Sequence, residues 1–146
     1  MIQDFWDFVK LKSGDKNPLF YHWTKAEVTS YDKLRKRHND DLPSKNFYDL
    51  YDLFKKNNIV VKDSLGFKLK SIAKAMYKNN LINTCWDSNN PCSNGLKAML
   101  LAYILYEDIK VVDNTEPIIK DIIHYNEVDC KVLWEILRFL RSYKLN

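Results

Sequence analysis

From Pro117 to about Tyr143 the chain carries apolar side chains at helical spacing, and the pattern predicts one long helix with proline in its first turn. At ~100° per residue, Ile118, Ile122, Tyr125, Val132, Leu133, Ile136 and Leu140 project within roughly 60° of the direction of Asp129. Lys120, Glu127, Lys131 and Arg138 occupy the opposite, solvated face. Asp129 therefore stands inside the apolar stripe. A carboxylate there costs several kcal/mol unless it is paired, hydrogen-bonded or bound to a metal. Two readings are open. In one, Asp129 caps another element or accepts hydrogen bonds from a buried Trp or Tyr. In the other it is a divalent-metal ligand, with Tyr125 one turn earlier on the same face holding a metal-bound water through its hydroxyl.

A length of 146 residues leaves room for one domain, 1–146, with a core large enough to fold without disulfides or a structural metal. Cys85, Cys92 and Cys130 are an odd set without close pairing, so free thiols are expected, and Cys85 with Cys92 makes a poor zinc site for want of a nearby His. No apolar run approaches a membrane span, and the N-terminus MIQDFWDFVK carries acids where a signal peptide carries bases. An intracellular protein, cytoplasmic or nuclear, is expected, neither secreted nor in a membrane. The net charge of +4 permits nucleic-acid contact without demanding it. The excess of Lys over Arg, with abundant Asn, Ile and Tyr, is what AT-rich coding produces, which discounts the charge further.

The three glycines and four prolines fall where periodic segments stop or start. Residues 2–10 read as a short amphipathic helix, closed by a polar turn over 12–18. Leu19 to Trp23 reads as a buried aromatic strand. Thr24 is placed to cap a helix running to about His38, with Glu27 as its capping-box partner, and residues 39–43 break that helix. Phe47 to Leu50 reads as a short strand leading into a helix through Lys55, or as helix throughout. Ile59 to Val61 is β-rich, Gly66 marks a turn, and Leu69 to Lys78 is helical. Ser93 is placed to cap a helix carrying Leu96, Met99, Leu100 and Tyr103.

Tyr125-Asn126-Glu127-Val128-Asp129-Cys130 resembles the third motif, Y-x3-D, of the ribonuclease H-like DEDD exonucleases, and more narrowly the predicted RecB-associated nuclease domain of that superfamily. Further segments are similar in family order. Phe20 to Trp23 followed by Glu27 resembles the strand and acid of the second motif. Asn46 to Leu50 resembles the next strand and its Asp-Leu step. Gly66 to Ser71 resembles the turn before a helix, and Asn94 to Ala98 the start of the penultimate helix. The resemblance spans about residues 15–146. It implies an α/β chain, predominantly helical with one to three short strands, as a partial ribonuclease H-like fold without the first three strands.

The same resemblance implies Tyr125, Asp129 and Glu27 as catalytic residues, with Asp129 and Glu27 holding Mg2+ or Mn2+. Members of the superfamily carry D-x-E on their first strand, and no Asp here lies two residues before a Glu. Two-metal hydrolysis needs ions about 3.5–4 Å apart, and two carboxylates are too few to hold such a pair. The expected function is a truncated 3'-5' exonuclease-type domain, inactive as an isolated chain and binding the ion weakly. The alternatives are a nuclease subunit completed by another chain and a non-catalytic module that binds nucleic acid or protein.

Single-stranded or duplex-end nucleic acid is the partner so implied, with Lys68, Lys70, His22 and Trp23 as its contacts. Each has a structural counterpart: a solvated basic face for the lysines, an aromatic cluster for His22 and Trp23. Self-association through the strand at 19–23 is also expected, because its edge would lack the preceding strands. Asp49 reads as a strand-end acid that caps the following helix, or as a further acid of the site.

Overall fold

Two short strands pair in parallel: β1, Leu19–His22, lies beside β2, Asn46–Asp49, with Leu19 opposite Asn46 and His22 opposite Asp49. Parallel neighbours need a crossover connection. Helix α2, Ala26–Arg37, lies within that connection. The computed structural model describes residues 2–14, 16–38, 42, 46–90, 92, 95–108 and 116–143. The other helices in chain order are α1, Ile2–Ser13; α3, Leu50–Lys56; α4, Leu69–Lys78; α5, Gly95–Asp108; and α6, Pro117–Ser142. The class is α/β, mostly helical with a small parallel sheet. The chain divides into two compact units, one of residues 1–60 and 67–69, the other of 61–66 and 70–146.

The N-terminal unit is built on aromatic rings. Phe20 and Phe47 share one face of the strand pair with their centroids 6.2 Å apart. Trp6 of α1 meets Phe20 edge-on at 6.1 Å, and Tyr31 of α2 packs on Trp6 and Phe47. Trp23 is buried against Phe54 of α3 and donates its Nε1–H to the Phe67 carbonyl at 2.9 Å. A two-stranded ribbon buries one face only. Leu19, expected to be buried, is 45% exposed because it points the other way from Phe20.

The start of α2 departs from the expected capping box. The helix begins at Ala26 behind Lys25, and no side chain caps it. Thr24 adopts a left-handed φ of 68° instead, which a β-branched residue rarely does. The acids and rings at the strand ends hold it there. The Thr24 amide donates to Asp49 Oδ1 at 3.0 Å, and its carbonyl accepts from His22 Nδ1. Asp49 also caps α3, accepting from the Tyr51 amide at 2.9 Å. One carboxylate thus closes two chain reversals.

Both α3 and α4 stop at an asparagine in the left-handed region, Asn58 and Asn80. Beyond each, an amide reaches back five residues: Ile59 to the Phe54 carbonyl and Leu81 to that of Met76, both at 2.9 Å. This corrects the β-rich reading of 59–61, since Ile59 closes a helix and no strand forms there. Helix α4 begins and ends as the periodicity predicts, and buries Ile72, Ala73, Ala75 and Met76. Helix α6 likewise runs from Pro117 to Ser142. Its buried residues are Val128, Val132, Ile136 and Leu137, so the stripe centres roughly 40° away from Asp129, which is itself half-buried. The expected Ser93 cap, Asn94 and most of the 39–43 breaker fall outside the described residues.

Because Asp49 accepts from two separate backbone turns, Asp49→Ala is expected to lower stability by about 1–2 kcal/mol, with Asp49→Asn recovering most of it. Thr24→Gly relieves the left-handed strain and is expected to raise the melting temperature. Thermal denaturation followed by circular dichroism checks both.

Candidate functional site

Each of the two units gathers polar side chains at one place. In the N-terminal unit these stand at the carboxyl ends of the two strands, where parallel α/β folds place their ligands. His22 is buried, with its ring edge-on to Phe47 at 5.4 Å. A carbonyl can only accept, so the Nδ1 that faces Thr24 O carries the proton. Glu27 Oε2 lies 3.9 Å from the same nitrogen, beyond hydrogen-bond reach, and Glu27 is exposed in the first turn of α2. An open cleft of about 670 Å³ lies beside these residues, lined in part by His22, Asp49, Lys25, Asp32, Asp52 and Lys56. Lys68 is exposed in the 67–69 segment of the same unit.

In the C-terminal unit the sequence anomaly on α6 finds its partners. Trp86 Nε1–H donates to Asp129 Oδ1 at 2.7 Å, and the Tyr125 side chain stands one turn earlier on the same helix. Lys70, in the first turn of α4, places its ammonium 5.2 Å from the Trp86 ring centre and 4.9 Å from that of Tyr125. Such stacking is worth about 0.5–2 kcal/mol, more as the cation is desolvated. Burial raises the Asp129 pKa above its ordinary value, against the opposing pull of the Trp86 hydrogen bond, the Lys70 charge and the Tyr125 hydroxyl. Burial also lowers the Lys70 pKa, with Asp129 opposing and Lys74 adding to the effect. The Tyr125 hydroxyl is pushed up by burial and by the Asp129 charge. It is poorly suited to losing its proton.

Two turns along α6, Glu135 holds the same irregular segment. One of its oxygens accepts from the amides of Asn83 at 2.7 Å and Thr84 at 2.9 Å, and the other accepts from Thr84 Oγ1 at 2.7 Å. Burial alone would push the Glu135 pKa up, but these hydrogen bonds and the Lys131 charge outweigh it and hold the group below its ordinary value. The segment 82–86 is thereby strapped along α6 at two points. Nothing in the sequence pattern singled out Glu135, Thr84 or Trp86. The only available signal was the requirement that Asp129 find a donor.

The residues read as a catalytic set divide between the units: Glu27 with His22 and Trp23 in the N-terminal one, Tyr125, Asp129 and Lys70 in the C-terminal one. Trp23 is part of a hydrophobic core, and Lys70 is committed to two rings. Asp129 takes the hydrogen-bonded arrangement that the first of its two readings describes. Among the described residues no group of three or more His, Cys, Asp or Glu is placed to hold a metal ion. No disulfide joins Cys85, Cys92 and Cys130, of which Cys92 is buried and Cys130 exposed. No helix among the described residues is long and apolar enough to cross a membrane. The chain matches no protein-family model, no curated protein and no solved structure.

The two α6 acids should bend the pH dependence of stability in opposite senses. Glu135 has a lowered folded pKa, so its contribution is present above its unfolded value and is lost as pH falls through the folded one. Glu135→Gln is expected to destabilise by about 1–2 kcal/mol near neutrality, with the gap to wild type closing in acid. Asp129 has a raised folded pKa, so its burial penalty is full above that pKa and is relieved as pH falls through it. Wild type should therefore gain on Asp129→Asn as the solution is acidified. Urea unfolding at a series of pH values measures both differences.

Proposed function

We propose that this chain is the C-terminal part of a ribonuclease H-like exonuclease-type domain that does not hydrolyse nucleic acid by itself. The observation that carries the reading is the bonding of Asp129. Its carboxylate accepts from the Trp86 indole, lies near the Lys70 ammonium, and burial favours its protonated form. A ligand for a hard divalent ion needs a charged oxygen with free lone pairs, and here Trp86 competes for them. The parallel strand–helix–strand unit and the long final helix with Tyr125 and Asp129 one turn apart support the superfamily reading. Mg2+ or Mn2+ is the cofactor class that follows, held weakly by so few acids, with single-stranded or duplex-end nucleic acid as the substrate class.

A second reading has the chain as one subunit of a nuclease whose partner brings the D-x-E strand. It is favoured by the small sheet, two strands among the described residues, with the exposed Leu19 at its start.

A nuclease assay with Mg2+ or Mn2+ on end-labelled single-stranded DNA and RNA tests both. The chain alone is expected to leave substrate intact, as is Asp129→Asn. Cleavage only when the chain is fused behind a segment bearing D-x-E would establish the subunit reading. Robust cleavage by the chain alone, abolished in Asp129→Asn, would overturn the proposal and make Asp129 a ligand despite its donor.

A further inference from the structure

Helix α5 is apolar on both sides, where an amphipathic surface helix carries one apolar stripe. It turns Ala98 and Leu105 inward, both buried, and lies beside α6. The opposite side carries Leu96, Met99, Tyr103 and Tyr106, exposed by 77, 71, 64 and 70%. Their intervals of three, four and three residues follow the a and d positions of a coiled-coil seam. Leu100 and Ile104 flank that seam and are also exposed. These six side chains leave roughly 800 Å² of largely apolar surface open, the area one partner contributes to a standard-size interface.

The geometry points to α5 as a homodimer interface, in which the seam packs antiparallel on the seam of a second copy of this chain. A two-fold interface requires a face that complements itself. Antiparallel pairing about the middle of α5 sets Leu96 against Tyr106 and Met99 against Tyr103, large rings against flexible aliphatic chains at every level. The thioether of Met99 against the Tyr103 ring is itself a favourable contact. The area condition is met by α5 alone. A lipid surface is the poorer match, since interfacial helices line their polar face with bases. Here Lys97 is the only base on α5, against Glu107 and Asp108.

Sedimentation velocity of the full chain from low to high micromolar concentration should show a monomer–dimer equilibrium. Met99→Lys combined with Tyr103→Lys, both at exposed positions and set against each other across the two-fold, places like charges in contact and should weaken the dimer at least about 100-fold with the helical signal retained. Hydroxyl-radical footprinting of the unaltered chain provides a second measurement that needs no variant, and Met99, Tyr103 and Tyr106 should become protected as concentration rises. A dimer that survives the double substitution with those side chains still reactive would overturn the assignment in favour of another surface, the strand at 19–23 included. A chain that stays monomeric would overturn it too, whether the seam is protected at all concentrations by the chain's own residues or binds neutral or anionic vesicles. None of these outcomes bears on the nuclease assay, so the two proposals fail separately.

Discussion

Two carboxylates on α6, six residues and about 120° of helix rotation apart, hold the irregular segment 83–86 in place. Asp129 takes the Trp86 indole and Glu135 takes the backbone and hydroxyl of Thr84. A segment without regular structure has amides that no ladder satisfies, and leaving them buried and unmatched costs about 1–3 kcal/mol each. By accepting them, α6 keeps Ile82 buried and brings Trp86 to where Lys70 can stack. The start of α4, the stretch after it and the last helix are tied through this one set of contacts.

The N-terminal unit uses the same device on a smaller scale. Asp49, at the end of β2, accepts from the amides of Thr24 and Tyr51, while His22 opposite it donates to the Thr24 carbonyl. Asp49 and Glu135 hold backbone amides and Asp129 holds an indole, whereas Glu27 stands exposed, 3.9 Å from His22 Nδ1. Among the described residues no three His, Cys, Asp or Glu gather as a metal site, and Asp49, Asp129 and Glu135 each meet N–H or O–H donors instead.

Regular elements were the legible part of this sequence. Pro117, the apolar spacing of α6 and the run from Leu69 to Lys78 mark helices that form where expected, since local periodicity and burial agree there. The strand at Leu19 to His22 and the step from β2 into α3 were readable for the same reason. The capping of α2 was not. Ser or Thr before Glu at the right interval fits a capping box, but Asp49, distant in sequence, competes for the Thr24 amide and turns that residue left-handed. At the candidate site, the position of Asp129 showed that a donor was needed. Its identity, Trp86, depends on the path of a loop that has no periodicity to read.

The strap along α6 has a further consequence, one of length. From Asp129 to Glu135 the helix rises about 9 Å, and from Trp86 back to Thr84 an extended chain covers about 7 Å. The two spans are of similar size, and side-chain reach makes up the remainder, so each acid meets its own partner in the segment. Inserting or deleting a single residue between Thr84 and Trp86 would leave either Glu135 or Asp129 facing the wrong group, however conservative the change. Chains descended from this one can exchange the surface of α6 freely, but they must keep those two intervals together or lose both.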